Sequence, residues 1–406
     1  MKNFDIPDKY KSNIISRIKQ SRKLEDPRKK DFSPTVIDFG EATFLIARHF
    51  GFCYGVENAI EIAYKTLEDN KGKNIYLLSE MIHNPSVNED LISHGIRFLM
   101  DTEGNELIGF DSLTNEDIVI IPAFGTTLGI ENNLKQRGID PYKYNTTCPF
   151  VEKVWNRAAA LGEKDYTIIV HGKSTHEETR ATFSHSQNNT PTVIIRDIFE
   201  AEVLSKIISG ELEESYFYEF FNGKFSEGFD VKNDLNRIGV VNQTTMLASE
   251  TQAIAEKLKE TMKAKFGEEN LEMHFADTRD TLCYATNDNQ SATLSLLTED
   301  VDIAIVVGGY NSSNTSHLVE LLETKFKTFF IFSENNIISK NEIVHFDFHN
   351  KKEVYSKTFL PEKEKIRIAI TSGASCPDSV VDNIISKILS FFPKLKNMNE
   401  IFPIQV

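Results

Sequence analysis

The chain has 406 residues, a formal charge of −15, 40% hydrophobic residues and 26% charged residues. This length predicts two or three domains and a core large enough to fold without disulfide bonds. The acidic excess argues against a nucleic-acid partner, which would favour a basic surface. The sequence contains neither a hydrophobic signal core nor an apolar run near the roughly 18 residues of a membrane span. We therefore expect a cytoplasmic enzyme.

Residues 1–42 are predicted to form a basic N-terminal arm. Within them, residues 2–32 carry ten Lys or Arg and five Asp or Glu. Such an arm can dock an acidic partner, but solvated surface charge is the commoner role of such residues. We favour the solvated role at this point.

From residue 43 onward a β-branched strand, a short polar loop and an amphipathic helix recur. Strands are predicted at 118–121, 167–170, 303–307 and 366–370. This alternation predicts an α/β fold with mainly parallel sheets. We expect three lobes with a C-terminal tail, at 43–147, 148–282, 283–388 and 389–406. The second lobe contains an acidic, aromatic-rich insertion at 209–237 that is expected to pack against the protein.

Polar segments follow several of these strands. Three of them are Asn242-Gln243-Thr244-Thr245, Asn311-Ser312-Ser313-Asn314 and Ser372-Gly373-Ala374-Ser375. Parallel sheets bind ligands at the carboxyl ends of their strands, and helix N-termini favour anions. Each segment alone would usually be a helix cap or a turn. Three at equivalent places indicate a site for a polyanion.

Three cysteines lie far apart, each just before a predicted helix: Cys53, Cys148 and Cys283. A helix N-terminus favours the thiolate, which binds iron or zinc. An isolated cysteine is more often a small buried apolar residue. The dispersed spacing lacks the paired pattern of structural zinc sites and suits a 4Fe-4S cluster with one open iron better. Cys376 also precedes a helix, so these features leave a four-cysteine site possible.

Two histidines and a glutamate complete the candidate site. His83 follows the apolar segment 75–78, and His176 lies two residues before Glu178. Both histidines can hydrogen-bond a phosphate, and Glu178 can deliver a proton if burial raises its pKa. The alternatives are structural histidines and an acid that stabilises a helix N-terminus. The chain has neither GxGxxG nor a P-loop, so electrons are expected from another protein.

Taken in order, the cysteine boxes, HNPSVN, HEET, NQTT, NSSN and SGAS resemble the 4-hydroxy-3-methylbut-2-enyl diphosphate reductase family over about residues 45–390. The phenylalanine-glycine loop, the arm and the insertion resemble its plant and cyanobacterial branch. The resemblance implies three α/β lobes in pseudo-threefold arrangement around a 4Fe-4S cluster. It implies Cys53, Cys148 and Cys283 as the three protein ligands, and it leaves Cys376 out.

The resemblance also implies roles for the polar residues. The diphosphate would be bound by His83, His176, Ser312, Asn314 and Ser375, with Ser313 beside them. Glu178 would deliver the proton and Thr244 would hold the substrate alcohol, which would bind the open iron. Two electrons from an external donor such as ferredoxin or flavodoxin would expel water and give isopentenyl or dimethylallyl diphosphate.

One position departs from the family pattern. Phe124 stands where many bacterial members have a histidine that helps to hold the diphosphate. Phenylalanine donates no hydrogen bond, so Thr126 or Thr127 is expected to substitute for that histidine.

Two other functions compete with the reductase. One is a non-redox 4Fe-4S hydro-lyase acting on a small phosphorylated alcohol, which would turn over without a reductant. The other is a zinc-stabilised binding module without activity, although structural zinc requires no polyanion site.

Overall fold

The computed structural model describes residues 4–276 and 281–396, apart from the side chain of Asn13. Residues 397–406 of the predicted tail lie outside the described residues. The α-helices in the described ranges are α1 Asn13–Glu25, α2 Tyr54–Asp69, α3 Pro85–Ser93, α4 Leu128–Gln136, α5 Pro149–Gly162, α6 Glu177–Gln187, α7 Ile198–Ser209, α8 Glu214–Phe220, α9 Val231–Asp234, α10 Ala248–Phe266, α11 Leu271–His274, α12 Tyr284–Leu296, α13 Ser313–Glu323 and α14 Asp378–Leu389.

The strands include all four that the sequence predicted. They are β1 Thr35–Asp38, β2 Ala42–Ile46, β3 Ile75–Leu77, β4 Arg97–Phe98, β5 Ile118–Ile120, β6 Thr167–His171, β7 Thr192–Ile195, β8 Ile238–Asn242, β9 Phe275–Ala276, β10 Ile303–Val307, β11 Thr328–Ile331, β12 Ile343–Asp347, β13 Lys352–Ser356 and β14 Ile366–Ser372. With most pairings parallel, the α/β class is confirmed.

The chain divides into two compact units. The first contains residues 1–57, 83–86 and 284–406. Its five-stranded sheet has the order β1-β2-β14-β10-β11, in which only the β1–β2 pair is antiparallel. β2, from the predicted first lobe, therefore lies beside β14, from the predicted third lobe. The three-lobe division stays a prediction.

The second unit contains residues 58–82 and 87–283 and has two parallel sheets. One is three-stranded with the order β4-β3-β5, and the other is four-stranded with the order β7-β6-β8-β9. Strands β6 and β8 are buried along their whole length, as apolar parallel strands covered on both faces should be.

The N-terminal segment belongs to the core of the first unit. Ile15 and Ile18 of α1 are buried in an apolar cluster that includes α14. Ser12 accepts a hydrogen bond from the Ile15 amide and donates one to Asp382 at 2.6 Å. Lys19 forms an ion pair of 2.7 Å with Asp378. The helix that carries these basic side chains, α1, is therefore held against α14 by apolar packing, a hydrogen bond and an ion pair.

The insertion packs as predicted. Phe217 and Phe221 are fully buried, and Phe229 stacks on Phe217 with ring centroids 4.9 Å apart. These rings join the apolar core under α7 and α10. None of the described helices combines the length and the apolar character that crossing a membrane would take.

Candidate active site

In the second unit the predicted proton donor and the predicted alcohol-binding residue follow neighbouring strands. β6 and β8 pair in parallel with His171 opposite Asn242. The loops that follow them therefore leave the sheet at the same edge, as expected for a ligand site. One loop leads to α6 with His176 as its N-cap, and the other carries Gln243 and Thr244.

Glu178 accepts hydrogen bonds from two donors of Thr244, its backbone amide and its hydroxyl. The Thr244 amide donates to Oε1 at 2.5 Å, and the Thr244 hydroxyl donates to Oε2 at 3.0 Å. Glu178 is only 1% exposed, so its carboxyl is shielded from water and fixed in position. A carboxyl that is buried and oriented in this way is equipped to transfer a proton to a bound molecule.

His176 has a defined orientation. Its Nδ1 accepts a hydrogen bond of 3.1 Å from the Glu178 amide. In the neutral ring the proton therefore lies on Nε2, which is the donor that an anion would meet.

Phe124 packs its ring against that of His176. The centroids are 5.5 Å apart and the ring planes meet at 84°, an edge-to-face contact. Gly125 follows with φ of 75°, and a Cβ there would lie 2.5 Å from Trp155 of α5. Thr127, one of the predicted substitutes for the missing histidine, caps α4 by accepting from the Ile130 amide. Thr126 is the other predicted substitute, and its backbone carbonyl contacts His185 Nε2 at 3.1 Å.

Gln243, in the segment after β8, has a role that its sequence does not reveal. It is fully buried. Its Oε1 accepts from the Thr179 hydroxyl at 3.0 Å and from the Lys173 amide at 3.3 Å, and its Nε2 donates to Thr245 at 2.7 Å. Gln243 thus joins the two loops that carry Glu178 and Thr244. An amide within a run of hydroxyl residues was the only sequence signal.

Cys148 and Cys283 lie close enough to Glu178 and to each other to interact electrostatically. Cys148 lies just before a helix, as predicted: it is the N-cap of α5, and Pro149 opens that helix. The Cys283 amide donates to the Thr244 carbonyl at 3.2 Å. Burial raises the pKa of Cys148 to about 12, with smaller effects from Cys283 and Glu178, while the Phe150 and Val151 amides lower it.

The expectation that a helix N-terminus favours the thiolate describes only part of the environment of Cys148. The helix amides act in the predicted direction, but desolvation of the charge is the larger effect.

In the first unit the predicted site residues follow three neighbouring parallel strands. Cys53 follows β2, Ser375 follows β14, and Asn314 follows β10. The Cys53 amide donates to the Ala374 carbonyl at 3.1 Å, and the Ser375 hydroxyl donates to the His83 carbonyl at 3.1 Å. These bonds bring the Cys53, His83 and Ser375 segments together.

The Asn311-to-Asn314 segment joins the same group. Asn314 Oδ1 accepts from the Ala374 amide at 3.1 Å. Ser312 caps α13, where it accepts from the Thr315 amide at 3.3 Å. Ser312, Ser313 and Asn314 are each no more than 5% exposed. The segment therefore has the helix-cap role that such residues usually have, and it also lies in the polar group.

Cys376 lies in the apolar core of the first unit. It is fully buried among residues of β2, β14 and α14. Burial raises the pKa of its thiol to about 12.

The structure thus assembles two groups. Within the second unit it brings together His176, Glu178, Thr244, Cys148 and Cys283, and within the first unit Cys53, His83, Asn314 and Ser375. Among residues 4–276 and 281–396, no group of three or more His, Cys, Asp or Glu side chains is arranged to hold a metal ion.

The family model and the relatives that match this chain point to the same family. The family model described as LytB protein matches residues 44–389. The chain is 40% identical over 390 residues to a 4-hydroxy-3-methylbut-2-enyl diphosphate reductase of Prochlorococcus marinus strain AS9601, covering 96% of this chain and 94% of that one. A reductase of the same name from Gloeobacter violaceus is 37% identical over 364 residues, covering 89% and 85%.

Solved structures agree in fold. The E-1-hydroxy-2-methyl-but-2-enyl-4-diphosphate reductase of Plasmodium falciparum superposes with a TM-score of 0.62 at 22% identity, covering 85% of this chain and 87% of that one. A second structure is described as (E)-4-hydroxy-3-methyl-but-2-enyl diphosphate reductase, the terminal enzyme of the non-mevalonate pathway. It superposes with a TM-score of 0.51 at 22% identity, covering 86% and 99%.

Proposed function

The chain belongs to the LytB protein family, and on that premise we propose that it reduces (E)-4-hydroxy-3-methylbut-2-enyl diphosphate to isopentenyl and dimethylallyl diphosphate. The observation that carries this proposal is the 40% identity to a reductase of that name across 96% of the chain. The reaction consumes two electrons and two protons. The allylic C–O bond breaks, its oxygen leaves as water, and a C–H bond forms at either end of the allyl system.

We propose that Cys53, Cys148 and Cys283 bind one 4Fe-4S cluster. The donor set supports this assignment, because Cys148 and Cys283 lie close enough to interact electrostatically and cysteine sulfur is the usual ligand of such clusters. When bound, such a cluster supplies an open iron for the substrate alcohol and a path for electrons. Cys376 is excluded because its thiol lies in an apolar core.

Glu178 is proposed to deliver the proton that leaves with the hydroxyl oxygen. Its carboxyl is fixed by Thr244, which contacts both of its oxygens. The Thr244 hydroxyl links this carboxyl to the substrate alcohol. Holding a proton donor and an alcohol in one hydrogen-bonded group lowers the barrier for C–O cleavage, because the leaving oxygen is protonated as it departs.

The diphosphate is proposed to bind His83, His176, Ser312, Ser313, Asn314 and Ser375. The orientation of His176 supports its role, since its Nδ1 accepts a hydrogen bond from the Glu178 amide, which in the neutral ring leaves the proton on Nε2. Hydroxyl and amide groups at the N-terminus of α13 add neutral donors, and the helix dipole favours an anion there.

An external one-electron carrier, such as a ferredoxin or flavodoxin, is proposed as the electron donor. The chain has neither a Gly-rich dinucleotide motif nor a P-loop. Electrons would therefore arrive through association with another protein.

Anaerobic reconstitution tests the proposal. The protein is purified without oxygen, its iron and sulfide are measured, and the purified diphosphate is supplied with or without dithionite and methyl viologen. The expected result is four iron and four sulfide per chain with reductant-dependent formation of both products. Turnover without reductant would instead support a hydro-lyase, and stoichiometric zinc would support a binding module.

A further inference from the structure

A basic cavity in the first unit opens beside Cys53. Its volume is about 450 Å³, and its lining includes Lys19, Lys23, Lys29 and Arg48 as well as Cys53. Four cationic side chains thus meet in one concave surface of a chain whose formal charge is −15. A local field of this sign within an acidic protein attracts and orients an anionic partner.

Two of these lysines are exposed and available to a partner. Lys23 lies on α1, one turn after Lys19, and Lys29 lies beyond the end of that helix with φ of 53°. Within the described residues, neither forms a salt bridge or a side-chain hydrogen bond. Lys19 is paired with Asp378, and its ammonium lies 4.9 Å from the centre of the Phe50 ring.

In the deeper part of the cavity the positive charge is partly paired. Arg48 is 9% exposed; its guanidinium contacts the carbonyl oxygens of Arg22 and Asp26 at 3.4 and 3.5 Å and lies 3.8 Å from the Asp26 carboxylate. Asp288 is the one acidic residue of the lining, and burial raises the pKa of its carboxyl. His49 is neutral at physiological pH, because burial lowers its pKa to about 4.

The arrangement distinguishes a protein partner from a small anion. A small-anion site requires several donors that converge on one point. Here Arg48 already contacts two backbone carbonyls and the Asp26 carboxylate, whereas Lys23 and Lys29 are exposed lining residues. Spread, exposed cations around a concavity suit the acidic face of a macromolecule. Phe52 and Tyr284 also line the cavity and provide apolar contact area.

We infer that this cavity is the docking surface for an acidic one-electron carrier protein, which delivers electrons beside Cys53. The inference rests on the proposed function, because it assumes that Cys53 is a cluster ligand. It revises the expectation that the charges of the N-terminal segment are merely solvated. Because α1 is anchored to α14, its lysines form part of a fixed surface.

The test is a charge reversal with a matched control. The test variant is K23E/K29E, which reverses two charges of the cavity lining. The control is K351E/K352E, which reverses two charges at the β12–β13 turn. Lys351 matches Lys29 in having a positive φ. An acidic plant-type 2Fe-2S ferredoxin serves as the probe. Its dissociation constant is measured by calorimetry at low and physiological salt, and turnover is measured with ferredoxin or with methyl viologen as donor.

We expect K23E/K29E to weaken ferredoxin binding about tenfold or more at low salt, with a smaller effect at high salt. Ferredoxin-driven turnover should fall accordingly, while viologen-driven turnover stays within about twofold, since only docking is altered. The control variant should match the parent protein in all three measurements.

Unchanged ferredoxin affinity in K23E/K29E, or an equal loss in the control, would overturn the inference. Calorimetry with pyrophosphate on the same proteins tests the alternative: loss of pyrophosphate binding in K23E/K29E with ferredoxin binding intact would also overturn the inference and make the cavity a small-anion site. If the parent protein shows no viologen-driven turnover, that result counts against the proposed function alone. Ferredoxin binding is measured independently of turnover and still tests the docking surface.

Discussion

The loops after the four-stranded sheet differ in chemistry from those after the five-stranded sheet. The first set presents an ionisable carboxyl, Glu178, whose two oxygens are both bonded by Thr244. The second set presents neutral hydroxyl and amide groups, Ser312, Ser313, Asn314 and Ser375, several of which also bond the backbone. A carboxyl can exchange a proton, whereas neutral donors at a helix N-terminus can hold an anion without exchanging one.

This difference separates two kinds of kinetic effect. Changes in the carboxyl group should act mainly on kcat, because its interaction strengthens as the C–O bond breaks. Changes among the neutral groups should act mainly on KM, because they hold the diphosphate equally before and during the reaction. The predictions test that separation, and the first tests the proposed cluster.

Replacing Cys148 with serine should have the largest effect. We expect bound iron and sulfide to fall well below four per chain and activity to reach background, because a serine hydroxyl is a poor substitute for a thiolate ligand. Iron analysis and the visible absorption spectrum measure this directly. The matched control is Cys376→Ala, which alters a core cysteine and should retain the full iron content; equal iron loss in both variants would contradict the ligand assignment.

Glu178→Gln should lower kcat by roughly 10²- to 10⁴-fold with little change in KM, since it removes the transferable proton while keeping the size of the side chain. Steady-state kinetics with methyl viologen as donor measure both constants. The control is Glu177→Gln in the same helical turn, where the glutamate accepts a hydrogen bond from Ser79. A kcat near that of the parent protein in Glu178→Gln would remove the proton-donor role.

Ser375→Ala should raise KM by roughly 10- to 100-fold and leave kcat within a few fold, because a hydrogen bond to a charged group contributes about 1.5–3 kcal/mol. Ser295→Ala is a suitable control, since Ser295 also donates to a backbone carbonyl but lies on α12. If kcat falls instead of KM rising, the separation between the two loop sets fails.

Phe124→Ala should produce the smallest change. Loss of the edge-to-face contact with His176 is worth about 0.5–1.5 kcal/mol and should raise KM roughly 2- to 12-fold. Phe124→His restores a hydrogen-bond donor and should give a KM at or below that of the parent protein. Identical KM values in all three proteins would show that this ring does not orient His176.

Much of the local structure could be predicted from the sequence. The strand at Ile303–Val307 matches the predicted residues, and Pro149 opens α5 behind Cys148. Apolar β-branched runs and helix-start residues are local signals that survive folding. Element ends were less exact: the strand predicted at 118–121 ends at Ile120, and the strand predicted at 366–370 continues to Ser372.

Contacts between segments that are distant in the sequence were harder to predict. The sequence separates β2 from β14, although the two strands pair in parallel. The role of Gln243 was missed because it depends on Thr179 and Lys173, which are remote in sequence. The raised pKa of Cys148 was missed because desolvation depends on how much protein surrounds the thiol.

The pairing of β2 with β14 has a consequence for synthesis of the protein on the ribosome. The Gly51 amide bonds the Ser372 hydroxyl, 321 residues away. During translation, β14 is therefore synthesised long after the loop that carries Cys53, when nearly the whole chain has been made. The second unit, by contrast, is complete once residue 283 has been added. We expect cluster delivery to follow release of the finished chain. Alkylation of Cys53 in ribosome-stalled chains that end before residue 366 tests this order, and protection of Cys53 there would contradict it.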